Sequence, residues 1–151
     1  PHQDVESRVT EVLLRRGTAR AAEIAWACAW LEACGYPGLK LLAEALADPA
    51  QELSLARDGL GFDLQNVSCV FLAPAIMADV RAHGRVFLRN VRHGLYLLPF
   101  TVRENIGIGC PVDPAFAVGG ERLKNPYTEK LALAEANGLE VDEVMLKAIQ
   151  E

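Results

Sequence analysis

The sequence predicts an α+β (mixed α/β) fold, an N-terminal helical region packed on a small mixed sheet. Three observations predict it. Apolar residues recur at helical spacing through the first fifty positions, strand-like runs follow from residue 85 onward, and the closing stretch returns to helical spacing. The chain is read as one domain over 1–151, with a helical subregion at 1–50 and mixed sheet and helices at 51–151. A chain of 151 residues buries roughly 70% of the surface that its unfolded form exposes, enough for a core of its own.

Asp4–Arg15 is the first expected helix, with Val5, Val9, Val12 and Leu13 on one face and Gly17 at its end. Arg20–Ala33 is the second, Ala-rich and without internal Gly or Pro. Ile24, Cys28 and Leu31 form one stripe of it, and Trp26, Trp30 and Ala33 form another on the opposite side. A helix apolar on most sides is buried on most sides, so the Trp stripe belongs either to a central core helix or to a dimer contact. Gly35-Tyr36-Pro37-Gly38 breaks the chain, Leu39–Leu46 restarts it as a short helix, and Asp48-Pro49 stops that helix.

From Leu53 the character changes. Leu53–Arg57 is expected as an edge strand and Leu60-Gly61-Phe62-Asp63 as a turn-rich link. Ser68–Leu72 reads as a short apolar strand or the lead-in to a buried helix. Pro74 suits a first helical turn, Ala75–His83 continues that helix, and Gly84 closes it. Arg85–Val91 alternates as a strand, and Leu95–Phe100 is nearly all apolar, as a central strand would be. Arg92-His93-Gly94 joins these two runs. Asn105–Gly109 is expected as another short buried strand, Cys110–Gly120 as a Pro/Gly loop, and Val141–Ile149 as the last helix. Between these lie Leu131–Ala134, a strand or a helix turn, and the turn signal Asn137-Gly138.

Composition narrows the function. With 51% hydrophobic and 23% charged residues the chain is not a disordered segment. A formal charge of −5 without a basic cluster argues against a nucleic-acid partner. The longest apolar run, Ile24–Leu31, is too short to span a bilayer, and no N-terminal signal is visible, so no membrane partner and a cytoplasmic location are expected. Cys28, Cys34, Cys69 and Cys110 lack Cys-x-x-Cys spacing, and a metal site is not expected. Cys28 and Cys34 stand about 240° apart around a helix and roughly 9 Å along it, which disfavours a disulfide.

Three segments, taken in order, resemble the malate/L-lactate dehydrogenase family, which binds nicotinamide cofactor on a fold other than the Rossmann type. They are Arg16-Gly17 through Leu42; Ala82-His83-Gly84 through Asn90-Val91-Arg92-His93-Gly94, followed by Ile106-Gly107-Ile108; and Gly119-Gly120 followed by Leu123-Lys124-Asn125-Pro126. The chain is also similar to small bacterial proteins of unassigned role that carry a Trp-Leu-x-x-x-Gly-x-Pro-Gly segment. The resemblance implies a dehydrogenase-like scaffold. It also implies a catalytic histidine in the turn after the second helix, where this chain has Gly35-Tyr36-Pro37-Gly38 instead. A proton donor titrating near neutrality is needed when hydride transfer makes or consumes an alkoxide. Tyr36 and His93 are the remaining candidates for that role. Arg92 stands where the family has a histidine, and Lys124 where it has threonine.

His93, in a tight connection, either bonds a backbone carbonyl or contacts a ligand, whereas His83, before Gly84, suits a helix C-terminus. Gly107-Ile108-Gly109 is not a dinucleotide fingerprint, since Val112 takes the third glycine's place. Cys110 has no base near it in sequence. Arg122 and Lys124, with the Gly119-Gly120 amides, form either a solvated loop or an anion pocket. The expected ligand site is therefore Asn90, Arg92, His93, Gly94, Gly119, Gly120, Arg122, Lys124 and Asn125.

The reading that results is a small-ligand-binding or accessory protein, leaning away from an enzyme. It is expected to need no cofactor, to take a small anionic ligand, and to form a homodimer through Trp26 and Trp30. One alternative is a reduced NAD(P)-dependent oxidoreductase acting on a small 2-hydroxy or 2-keto acid. The other is a structural partner within a larger complex.

Overall fold

Gly17 and Gly35 divide the N-terminal fifty residues, and both do so by the same device. In the computed structural model, which describes residues 2–59, 61–108, 116–121 and 143–150, helix α1 (His2–Arg15) ends with Thr18 N donating to Leu13 O at 3.0 Å and Gly17 N to Leu14 O at 3.0 Å. Helix α2 (Ala21–Ala33) ends likewise, Tyr36 N donating to Leu31 O at 2.8 Å and Gly35 N to Glu32 O at 3.0 Å. Both glycines have positive φ, 72° and 83°, the left-handed conformation that this paired-bond terminus requires. After them come α3 (Gly38–Ala47), β1 (Phe62–Asp63), α4 (Cys69–His83), β2 (Val86–Arg89), a 3-10 turn (Gly94–Leu97), α5 (Leu98–Arg103), β3 (Ile106–Ile108), β4 (Phe116–Glu121) and α6 (Glu143–Gln150). The chain is mixed α+β. Among the described residues no helix is long and apolar enough to cross a membrane.

The chain divides into two compact units, Pro1–Pro49 with Pro126–Glu151, and Ala50–Asn125. In the first, α2 packs against α1 and α3, and α6 packs against α1 and α3. Val5, Val9, Val12 and Leu13 of α1 are all buried, each contributing about 1.5–3 kcal/mol by leaving water. Helix α2 is covered on nearly every side: Ile24, Ala25, Ala27, Cys28, Ala29, Trp30 and Leu31 are buried. Trp30 is only 3% exposed while Trp26 is half-buried. Of the Trp stripe, then, Trp30 lies in the core of this unit and Trp26 keeps part of its surface.

The start of α3 depends on two residues. Pro37 supplies no capping side chain, so Glu32 reaches forward from α2 and its Oε1 accepts from Leu39 N at 3.0 Å, placing a carboxylate at the positive end of the helix. Gly38 allows the close approach, since a Cβ there would lie 2.6 Å from Cys28 O.

The second unit carries the sheet, in the order β1-β2-β4-β3. Strands β1 and β2 are parallel, with Phe62 opposite Leu88 and Asp63 opposite Arg89, and α4 is the crossover between them. Strand β4 runs antiparallel to both β2 and β3. Several expectations are corrected here. Leu95–Phe100 is not a central strand but the 3-10 turn leading into α5. A short apolar run does not by itself separate a buried strand from a buried helix, and Pro99, which cannot donate to a ladder, fits the first turn of α5 instead.

Helix α4 begins at Cys69, so Pro74 lies inside it and not in its first turn. Leu53–Arg57 forms no strand; the edge strand is Phe62–Asp63, two residues of the expected turn-rich link. Within the expected loop Cys110–Gly120, Phe116 to Gly120 belong to β4. The β3/β4 register slips between Ile106 and Ile108, opposite Gly119 and Gly120, as an extra residue in one strand requires. Leu131–Ala134 and Asn137-Gly138 lie outside the described residues.

Gly61 fixes the entry to β1. Its φ is 98°, and a Cβ would fall 2.0 Å from Phe87 O, inside the backbone of β2. Gly61→Ala is therefore expected to cost about 2 kcal/mol or more, by strain and by loosening the β1/β2 pair. In the first unit Glu32→Ala is expected to cost about 1 kcal/mol as a lost cap, and Glu32→Gln less, because an acceptor remains. Urea titrations of the three variants check both expectations.

Candidate functional site

The chemistry-bearing residues of the second unit gather where the parallel strands β1 and β2 end. Beyond the strands, the segments 64–69 and 90–93 run side by side, joined by Leu64 N to Arg89 O at 2.9 Å, Asn66 N to Asn90 O at 3.1 Å and Cys69 N to Arg92 O at 2.9 Å. In open sheets with parallel strands, the carboxyl edge is where ligand crevices form.

The first segment is shaped by Asp63, whose Oδ1 accepts from Gln65 N at 2.9 Å and from Asn90 Nδ2 at 2.8 Å. Gln65 and Asn66 both have positive φ, 52° and 60°, and Val67 N donates to Leu64 O at 2.9 Å, which makes a type I′ turn. The Asn90 amide, the Gln65 N–H and the nearby Arg89 charge hold the Asp63 carboxyl below the usual aspartate range. Arg89 is itself paired with Asp58, Nη2 to Oδ2 at 2.6 Å.

The second segment is tight and half-buried from Asn90 through Leu95. Asn90 and His93 have positive φ, 52° and 57°, a conformation that Asn tolerates and His adopts less readily. His93 is placed by Ser68: Ser68 Oγ lies 2.7 Å from His93 Nδ1, and Ser68 is fully buried. Ser68 also caps α4, its Oγ accepting from Val70 N at 3.1 Å.

The amides of the first turn of α4 are all engaged within the protein. Cys69 N bonds Arg92 O, Val70 N bonds Ser68 Oγ, and Phe71 N and Leu72 N bond Ser68 O at 3.1 and 3.3 Å. An anion at this edge would therefore be held by the side chains of Asn90, Arg92 and His93, not by helix amides. Cys69 stands at the same helix start, where the dipole would favour thiolate, but burial dominates and pushes its thiol up to about 12. Ser68 is equally unsuited to nucleophilic attack, being 0% exposed.

Of the residues singled out from sequence, Asn90, Arg92, His93 and Gly94 come together here. Gly119 and Gly120 lie in β4, in the same unit but in a strand and not in a loop around a ligand. Arg122, Lys124 and Asn125 lie outside the described residues, as does Cys110. Tyr36 belongs to the first unit, at the end of α2, where its backbone N–H closes the helix. His83 pairs with Asp79 one turn earlier in α4, Nδ1 to Oδ1 at 3.1 Å. Asp63 and Ser68 are not among the residues that the sequence marks as a site. Ser68 had a readable signal, a serine directly before an apolar helical run, while the role of Asp63 depends on a partner 27 residues away. Among the described residues no group of His, Cys, Asp and Glu is arranged to hold a metal ion. No protein-family model, no curated protein and no solved structure matches the chain.

Asp63 gives the site a pH dependence. Its folded-state value lies below the unfolded one, so its contribution to stability is complete above the ordinary aspartate range of about 3.9 and fades as pH falls through the depressed value. Asp63→Asn is expected to flatten that part of the acid-side loss of stability, measured as melting temperature across the acid range. An acid slope equal to that of the parent protein would contradict the assignment.

Proposed function

We propose that the protein binds a small anionic ligand at the Asn90–Gly94 turn and acts as a binding or accessory protein. The observation that supports this most directly is the turn itself. Two side-chain-bearing residues of positive φ flank Arg92 at the carboxyl end of a parallel strand pair, and each is held by a bond from the facing segment. Backbone conformations of this kind persist where the surroundings over-determine them, and they concentrate at ligand sites. The turn carries a guanidinium, an imidazole and a carboxamide, the donors that recognise carboxylate and phosphate oxygens.

The buried Ser68 hydroxyl and the protonated Cys69 thiol favour binding over covalent chemistry at this edge. Among the described residues Cys28, Cys34 and Cys69 are buried and lie outside any disulfide, which suits a reducing compartment. The dehydrogenase-like scaffold and its nicotinamide cofactor remain a reading of the sequence, and they enter the test as an alternative outcome.

The test is calorimetric titration with inorganic phosphate and with malonate, on the parent protein and on Arg92→Ala. Saturable binding by at least one of them is expected, weakened about tenfold or more when the guanidinium is removed, as for loss of a charged hydrogen bond. Absence of binding to both, or equal binding by Arg92→Ala, would refute the proposal. Saturable binding of reduced nicotinamide cofactor with turnover of a 2-hydroxy acid would support the oxidoreductase reading in its place.

A further inference from the structure

The Ser68–His93 contact determines which nitrogen of the imidazole carries the proton. Among the described residues Ser68 Oγ has two partners, Val70 N at 3.1 Å and His93 Nδ1 at 2.7 Å. The Val70 amide can only donate. The hydroxyl proton, on a side chain that is 0% exposed, therefore has Nδ1 as its acceptor. If Nδ1 carried the proton instead, Oγ would accept twice and its own proton would be stranded away from water, a cost that corresponds to at least about tenfold in population.

We propose that Ser68 is a positioning residue that holds neutral His93 as the Nε2–H tautomer, and that it thereby sets the chemical class of ligand the turn accepts. This deepens the anion-binding reading and rests on it for the identity of the site. With Nδ1 engaged by Ser68 and a proton on Nε2, the ring offers a hydrogen-bond donor to whatever meets Nε2. An oxyanion accepts that bond. A transition metal needs a nitrogen lone pair, and Nε2 presents none. Ser68 itself takes no part in binding, because its hydroxyl is spent on the ring and on the helix start. The neighbouring groups act in the same sense: Asn90 donates to Asp63 through Nδ2, and Arg92 has no acceptor on its side chain.

The experiment is long-range nitrogen–proton correlation NMR of the full-length protein labelled in its histidines, at alkaline pH where imidazoles are neutral. The His93 signals are assigned by their loss in His93→Asn, a variant that tolerates positive φ and keeps an acceptor for Ser68. The expected pattern has protonated Nε2 and unprotonated Nδ1 as a single tautomer, and a Ser68 hydroxyl proton slow enough in exchange to be seen. A protonated Nδ1, or a tautomer mixture like that of free imidazole, overturns the inference. Inorganic phosphate should then shift the Nε2 resonance, while stoichiometric zinc should leave it in place; zinc displacing the Nε2 proton overturns the inference as well. The two readings fail separately. The expected tautomer with no phosphate shift leaves the Ser68 assignment standing and removes the anion site, whereas the wrong tautomer removes the Ser68 assignment even if phosphate binds.

Discussion

The second unit depends on how the start of α4 is satisfied. A helix begins with amides that no residue of its own can pair, and in α4 the Ser68 side chain, the Ser68 carbonyl and the Arg92 carbonyl take them. The loop that follows β2 is therefore laid across the start of the helix that precedes β2. One set of bonds closes the helix, fixes the turn from Asn90 to Gly94 and orients the His93 ring. Any change in the helix start is therefore felt at the turn, which carries Asn90, Arg92 and His93 together.

The first unit solves the same problem differently. Its helices α1 and α2 end in glycine-terminated turns, and α3 borrows Glu32 from the preceding helix because proline gives no cap. These are local devices, and local devices are legible in sequence. Gly17, Gly35 and Asp48-Pro49 mark helix ends by the backbone conformations they permit or forbid, and the spacing of Val5, Val9, Val12 and Leu13 marks a buried face without reference to anything distant. The ends of the first three helices can accordingly be read from residues within one turn of each boundary, whereas the start of α3 draws on Glu32, seven residues before Leu39.

The second unit is less legible, and the reason is physical. Leu95–Phe100 is apolar on every side, so its period carries no information; only Pro99 argued for a helix, and only weakly. Phe62–Asp63 becomes a strand because Gly61 lets the chain lie against the Phe87 carbonyl, a fact about two positions far apart in sequence. Gly119 and Gly120 look like loop residues until β3 is seen opposite them with its register slipped by one. The site divides in the same way. Asn90, Arg92, His93 and Gly94 stand together in the sequence and could be singled out as a group. Asp63 and Ser68, which hold that group in shape, come from the other arm of the crossover and acquire meaning only when the arms are paired.

Strand β4 lies between β2 and β3 although it follows both in the chain, and α6 joins α1 and α3 from more than ninety residues downstream. During synthesis, then, the pairing edge of β2 stays bare until about residue 121 has emerged, and the first helical unit stays open until its last helix is made. The second unit is a continuous stretch and can close while the ribosome is still at work; the first is interrupted by it and can close only afterwards. Vectorial synthesis thus imposes a sequence of events on this architecture, with the Asn90–Gly94 turn assembled before the helical unit whose two segments flank it in sequence.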